Sequence, residues 1–336
     1  MTDAALLESA VAGDERSFAE LVEPHRRALD AHCYRMLGSV QDAEDAVQET
    51  LLRAWRGLPS FRGHSTLRSW LYAIATNVCL RTIERRPSRT LPVDHGPPGD
   101  PREPLGRPLV ESVWIEPYPD YRLGRDDELA GPDARYEQRE SIELGFIAAL
   151  QLLPPRQRAV LILRDVLGFS GAEVADALDA TPGSVYSALQ RAHATLEEKR
   201  PDPSQQATLR ALGDDQLNSV VQRFVQAWGR SDVDAIVGML TGAATLAMPP
   251  IPSWYRGRDA IETVLRTTVL DGVRSWRMLP TFANGQPAVG AYELGSAGTH
   301  DAHGVTVLTL DGASIAGITH FRAPRMLERF GLPGHV

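Results

Sequence analysis

Lysine is almost missing from this 336-residue chain: of its 35 basic residues only Lys199 is a lysine. Cationic contacts must therefore be made by arginine, whose planar guanidinium forks onto two acceptors instead of acting as a point charge. Cysteine is nearly as scarce. Cys33 and Cys79 lie far apart, each inside an apolar helical pattern, which points to two reduced core thiols rather than a disulfide or a metal site. No run of about 18 apolar residues is present to span a bilayer. The opening "MTDAALLESAVAGDERSF" lacks the basic start and apolar core of a secretory signal, so a cytoplasmic protein without a membrane partner is expected. There is no internal repeat. What is present, 43% hydrophobic and 23% charged residues, describes a globular chain long enough for two or three domains.

The pattern divides the chain. Residues 1–86 read as helix after helix, with few breakers and no strand-like alternation, so they form a helical bundle. Residues 87–136 are dense in proline, glycine and charge and read as a linker. Helical periodicity returns over 137–200 and stops at the "KRPDP" run. After a short linker at 201–213, residues 214–336 mix helices with alternating strands as a separate α+β domain.

In "SVQDAEDAVQETLLRAWRGLPSF", Val40, Val47, Leu51, Ala54, Trp55 and Leu58 make a core stripe, while Asp42, Asp45 and Glu49 recur at i, i+3 and i+7 on the other side. Such a stripe is either a solvated face or a partner surface. The next helix, in "FRGHSTLRSWLYAIATNVCLRTIERR", turns Trp70, Leu71, Ile74 and Val78 inward and aligns Asn77, Arg81 and Arg85 outward. An acidic helix face followed by an arginine-bearing one suggests two different partners.

Further on, "LPPRQRAVLILRDVLGFSGAEVADALDATPGSVYSALQRA" reads as a helix-turn-helix. Ser170 is a plausible N-cap, with Glu173 completing a capping box. Pro182 suits the first position of the second helix. Val185, Leu189, Ala192 and Leu196 anchor that helix, leaving Ser184, Ser187 and Arg191 outward with Gln190 beside them. These side chains can supply major-groove hydrogen bonds and phosphate contacts; a plain interaction module is the alternative. A net charge of −8 is nevertheless wrong for a protein that binds DNA alone, because such affinity comes largely from cations neutralising phosphates.

These three stretches resemble the extracytoplasmic-function class of sigma factors in the sigma-70 family, over residues 12–86 and 137–198. The resemblance implies that Asp42, Asp45, Gln48 and Glu49 contact the β′ clamp helices of the bacterial RNA polymerase core. It implies that the loop from Phe61 to Trp70 holds a flipped base of the promoter −10 element, with Ser65, Thr66, Asn77, Arg81 and Arg85 at the DNA; contacts made only to single-stranded DNA would offset the lost stacking. It places Thr181, Ser184, Ser187 and Arg191 at the −35 element. Where many relatives carry further basic residues on this last helix, this chain has Tyr186, Ala188 and His193. Weak independent −35 affinity is expected, with most binding energy coming from assembly with polymerase.

Within the linker, "WIEPYPD" sets aromatics between prolines, an extended motif suited either to docking in a groove or to covering a neighbouring helix. A similar motif is familiar in sigma factors that carry an extra C-terminal domain. The α+β domain, with hairpin turns expected at Asn284-Gly285 and Asp311-Gly312, resembles the SnoaL-like, ketosteroid-isomerase-like cone. Its candidate pocket residues are Met248, Trp254, Tyr255, Trp276, Glu293 and His320, and "HDAH" at 300–303 reads as exposed loop histidines. The expected fold is thus multidomain: two all-α helical domains, the second with a helix-turn-helix, plus an α+β cone. The expected function is promoter recognition as a polymerase subunit, with no cofactor or metal, and with the cone modulating activity in cis through a small-molecule ligand or protein partner. The alternatives are a stand-alone helix-turn-helix regulator and a fusion carrying a SnoaL-like enzyme domain, whose base would have to be Glu293 or His320.

Overall fold

The computed structural model describes residues 2–61, 63, 65–86, 88–109, 113–123, 140–197 and 204–336. The chain falls into two compact units, Met1–Arg89 with Arg122–Arg200, and Thr90–Tyr121 with Pro201–Val336. Most of the segment read as a linker therefore belongs to the second unit. Residues 124–139, and the break read at residues 199–203, lie outside the described residues.

Among the described residues the first unit contains helices and no strand. α1 (Asp3–Val11), α2 (Glu15–Leu37), α3 (Val40–Gly57) and α4 (Leu67–Ile83) precede α5 (Leu144–Leu152), α6 (Pro155–Leu161), α7 (Gly171–Ala177) and α8 (Pro182–Glu197). Side-chain caps set the starts by giving orphan backbone N–H groups an acceptor. Asp14 accepts from Arg16 and Ser17 at α2, Ser39 from Asp42 at α3, and Thr66 from Ser69 at α4. At α7 both bonds of the expected Ser170–Glu173 capping box form. α2 stops at Gly38, whose φ of 66° is left-handed. A side chain there would also press on Gln151, so glycine suits the position twice over. Cys33 and Cys79 are buried, unbridged thiols. Although distant in sequence they meet in the core, and the hydrogen bond between them, together with burial, pushes the Cys33 thiol up.

Two arginines join α1–α4 to α5–α8 from inside. Arg158 is 1% exposed. Its Nη1 donates to the Met36 carbonyl and to Gln151 Oε1, and its Nη2 to the carbonyls of Gln151 and Leu153 at 3.0 and 3.2 Å. Desolvation lowers its pKa to about 10, and it stays charged at neutral pH. Arg35 donates from Nη2 to Ser141 Oγ at 2.9 Å and from Nε to the Ser141 carbonyl at 3.2 Å. A buried charge left without acceptors costs several kcal/mol, so these bonds couple the two helical regions strongly.

The second unit contains α9 (Gln205–Leu212), α10 (Asp214–Gly229), α11 (Val233–Gly238), α12 (Arg258–Val264), α13 (Met326–Arg329) and six strands. These are β1 (Leu240–Ala247), β2 (Trp254–Arg256), β3 (Trp276–Ala283), β4 (Gln286–Leu294), β5 (His300–Asp311) and β6 (Ser314–Phe321), in sheet order β2-β1-β6-β5-β4-β3. Both expected hairpins form. All neighbouring strands pair antiparallel except β1 and β6, which are parallel. α9 occupies part of residues 201–213, which read as a linker. α9 is held by two buried amides, Gln205 bonded to Leu310 and Gln206 to the Gly285 carbonyl.

The WIEPYPD segment docks on this unit. Trp114, Ile115 and Tyr118 are buried. Trp114 Nε1 donates to the Pro250 carbonyl at 3.2 Å. The Tyr118 N–H donates to Asn284 Oδ1 and its carbonyl accepts from the Asn284 N–H, both at 2.8 Å; Asp120 Oδ1 accepts from the Gly285 N–H. The Asn284-Gly285 turn, with left-handed φ of 56° and 67°, thus closes the β3–β4 hairpin and also grips the segment. An extended, proline-stiffened chain loses little entropy on such docking.

Two predictions test the first unit's core. His32 Nε2 lies 2.9 Å from Thr76 Oγ1, and that hydroxyl donates to the Tyr72 carbonyl, so Nε2 carries the proton. Burial first, then Arg35, lowers the His32 pKa from 6.5 to about 3. A base held neutral in the fold but free to protonate when unfolded stabilises above its ordinary pKa, and that stabilisation drains as pH falls from about 6.5 toward about 3. His32→Gln, which keeps a donor and has no proton to gain, should flatten this decline in urea unfolding measured across that window. Arg158→Met strands the carbonyls of Met36, Gln151 and Leu153, and equilibrium unfolding should show a loss of about 2–4 kcal/mol.

Candidate functional site

The acidic face of α3 is only partly available. Asp45 and Gln48 are exposed and Glu49 is half-buried. Asp45 accepts from Gln41, and Glu49 pairs with Arg53 at 2.6 Å, both one turn away. Asp42 departs from the expected outward stripe. It is 5% exposed, ion-paired to Arg86 and, at 2.6 Å, to the buried Arg89. It lies in the first turn of α3, where a carboxylate also meets the positive end of the helix dipole. In this arrangement Asp42 secures the chain after α4 and offers no free carboxylate.

On α4, Asn77 and Arg81 are exposed, and Arg85 is exposed just beyond the helix end. Ser65 and Thr66 are exposed before it, with the Thr66 hydroxyl already engaged as the N-cap. Thr181, Ser184, Ser187 and Arg191 are exposed on α8 and at its start. Thr181 and Ser184 cap each other there: each hydroxyl oxygen accepts from the other's backbone N–H. Val185, Ala192 and Leu196 are buried on the opposite side.

Three bonds tie the exposed side of α4 to the helix-turn-helix. Asn77 Nδ2 donates to the Ala177 carbonyl at 3.1 Å, Ser69 Oγ to Glu173 at 2.9 Å, and Arg68 Nη2 to the Leu167 carbonyl at 2.9 Å. The Arg68 guanidinium also lies 4.3 Å from the centre of the Phe169 ring, which meets Tyr72 edge-on. Each bond is worth about 1 kcal/mol, and cation–π contact adds a similar amount. The arrangement therefore locates one expected DNA group, Asn77, against the end of α7. Sequence reasoning missed Arg68, Ser69, Phe169 and Glu173 in this role, since no local pattern announces a contact about 100 residues away in the chain.

The second unit encloses a cavity of about 110 Å³ whose lining includes Met248, Trp276 and His320. Trp254 and Tyr255 depart from expectation and do not line it. Trp254 instead donates from Nε1 to the Gly96 carbonyl, within residues 90–121 of the same unit, at 2.7 Å, and Tyr255 is buried in the hydrophobic core. Glu293 also lies outside the lining, 3.4 Å from Arg274 and 3.8 Å from His303 Nε2. The HDAH histidines belong to β5 rather than to a loop, and His303 is 16% exposed and lines the cavity.

A line of polar contacts runs along the cavity. Thr306 Oγ1 is 2.8 Å from His320 Nδ1, and His320 Nε2 is 2.9 Å from His303 Nδ1. Glu293 at the end can only accept as a carboxylate. The proton order that serves every partner is therefore Thr306 to His320, His320 to His303, and His303 toward Glu293. Desolvation, then Arg322 and Arg274, lowers the His303 pKa to about 4; desolvation, then His303 and Arg322, lowers that of His320 to about 3. Both rings are neutral at physiological pH. Thr306 stands opposite His320 only because the β5–β6 register shifts by one residue between Thr309 and Leu310, so counting back from Asp311-Gly312 would not have found the pair.

Family models match along most of the chain: Sigma-70 region 2 over residues 21–89, Sigma-70 region 4 over 144–196, and a SnoaL-like domain over 221–323. The chain is 41% identical over 326 residues to the ECF RNA polymerase sigma factor SigG of Mycobacterium tuberculosis, covering 95% of this chain and 85% of that protein. It is 32% identical over 195 residues to the ECF RNA polymerase sigma factor SigM of the same species, covering 58% of this chain and 83% of SigM. The crystal structure of the M. tuberculosis extracytoplasmic-function sigma factor SigJ shares the fold, with a TM-score of 0.57 and 21% identity over 92% of this chain and 97% of that one.

If Phe169 helps to hold α4 against the helix-turn-helix, Phe169→Ala should loosen that contact while leaving each helix formed. Amide hydrogen exchange across residues 67–83 should then quicken by roughly tenfold, with little change in circular dichroism.

Proposed function

The chain belongs to the extracytoplasmic-function RNA polymerase sigma factors, and from that premise we propose how its surfaces share the work of promoter recognition and transcription initiation. Asp45, Gln48 and Glu49 on α3 meet basic residues of the β′ clamp helices. Ser65, Thr66, Asn77, Arg81 and Arg85 attend the opened −10 element. Thr181, Ser184, Ser187 and Arg191 attend the −35 element. The observation that carries this reading is the 41% identity to SigG, which runs through both helical regions and the α+β domain. It also accounts for an acidic chain that handles DNA: net charge −8 suits a basic protein partner, and DNA is then engaged by the complex. The site of action is the cytoplasm, with polymerase.

The compact first unit holds Asn77 and Ser69 in bonds to α7. For both DNA-reading faces to be used, those bonds must give way, and binding to polymerase supplies the differential free energy. The C-terminal domain modulates this step in cis. Residues 90–121 belong to the second unit, while the chain on either side belongs to the first. The reach between the two helical regions therefore depends on whether that segment stays docked. We read the C-terminal domain as a binding module rather than an enzyme. The titratable groups lining its cavity are Arg274, His303, His320 and Arg322, and a histidine whose pKa is about 3 or 4 is a weak base at neutral pH.

Asp45→Arg with Glu49→Arg should weaken association with core polymerase by at least tenfold, on the order expected for charge-reversed interfaces, while circular dichroism and thermal unfolding stay near wild type. Unchanged holoenzyme formation would overturn the assignment of α3. Asn284→Ala, which releases the Tyr118 N–H, should change both core affinity and promoter output from holoenzyme; identical values of both would remove the modulation in cis.

A further inference from the structure

We propose that the cavity of the C-terminal unit binds a small apolar carboxylic acid as its carboxylate. The body of the site is hydrocarbon and aromatic, with Leu246, Met248, Trp276, Met278 and Ala291 in its lining. A cavity of about 150 Å³ lined by such side chains can accept benzene. The 110 Å³ here therefore suits one ring or a short branched chain, and a larger group would have to project through the mouth.

The charge at the site has one sign. Arg274 and Arg322 line the cavity and are both exposed. Arg274 is engaged, with Glu293 at 3.4 Å and the Thr268 carbonyl at 3.0 Å. Arg322 has no carboxylate partner among the described residues, although it lies close enough to both histidines to disfavour their protonation. Both ring nitrogens of His320 and Nδ1 of His303 are used within the histidine line, and His303 Nε2 faces Glu293 at 3.8 Å. In addition, the buried indole N–H of the lining residue Trp228 meets no acceptor among the described residues.

Donors and positive charge thus stand unmatched beside an apolar interior, and that combination selects among ligands. A cation meets two guanidinium groups. A purely apolar molecule fills the space but leaves Arg322 without a partner. A phosphate or dicarboxylate brings more charge than an apolar lining can solvate. A monocarboxylate satisfies both halves: its apolar body enters the cavity, and its oxygens take the forked donors of Arg322 at the mouth.

The inference concerns the C-terminal unit alone and is tested on the full-length chain without polymerase, so it stands or falls separately from the assignment of the promoter- and polymerase-facing surfaces. Calorimetric titration, supported by fluorescence of Trp228 and Trp276, would compare benzoate and cyclohexanecarboxylate with their uncharged amides. At least one acid should bind saturably, with its amide weaker by roughly tenfold or more. Arg322→Met should weaken the acid by about as much, with unchanged thermal unfolding because the side chain is exposed and has no carboxylate partner among the described residues. The proposal is overturned if neither acid saturates, if the amides bind as well as the acids, or if Arg322→Met binds like wild type. The comparison of acid with amide is made on the unaltered protein and does not depend on the variant.

Discussion

A guanidinium sealed inside a helical protein has to find acceptors, and the first unit is organised around that requirement at Arg158. Four acceptors surround its two terminal nitrogens, one at the end of α2 and the others on or just after α5. Because desolvating an unpaired cation is so costly, α2, α5 and α6 are constrained together more tightly than apolar packing alone would require. Arg35 and Gln151 extend the constraint, the latter donating to the Arg35 carbonyl. With those helices fixed, α7 comes to lie where Asn77 and Ser69 of α4 reach it, and the turn before α7 where Arg68 does. The surface contacts are individually weak and follow from the deep one.

Most charged residues of either sign are exposed, and the few that are buried, Arg35, Arg89, Arg158, Asp42 and Glu143 among them, have structural partners. Asp42 shows what such a group does. Placed in the first turn of α3 and paired with two arginines, it uses its charge to anchor the chain leaving α4. Its neighbours Asp45 and Glu49 keep short-range partners that a stronger cation could displace. An i, i+3, i+7 stripe therefore contains groups with different jobs, and helical spacing alone does not separate them.

Much of this was legible in the sequence, for identifiable reasons. Helix starts at Ser170 and Pro182 and the turns at Asn284-Gly285 and Asp311-Gly312 depend on a few adjacent residues, and each appears where local chemistry places it. The apolar faces of α3 and α8 follow from periodicity. Other features depend on groups distant in the chain. Trp254 and Tyr255 read as pocket walls because they are aromatic, yet Trp254 is turned to the Gly96 carbonyl and Tyr255 into the core. His303 read as a loop residue because glycines surround it, whereas pairing with β4 and β6 draws it into a strand. The parallel pairing of β1 with β6 leaves no local mark.

The order of the helical regions, the α+β character of the C-terminal part, the caps, the hairpins and the family likeness were all determined by the amino-acid sequence itself, because each is carried by neighbouring residues or by a recurring period. Tertiary structure alone decided that Asp42 is buried, that α4 is bonded to α7, that WIEPYPD lies on the β3–β4 turn, and that two histidines and two arginines share one cavity. Those outcomes come from matching donors, acceptors and apolar surface between segments far apart in the chain, and such matching exists only once the chain has folded.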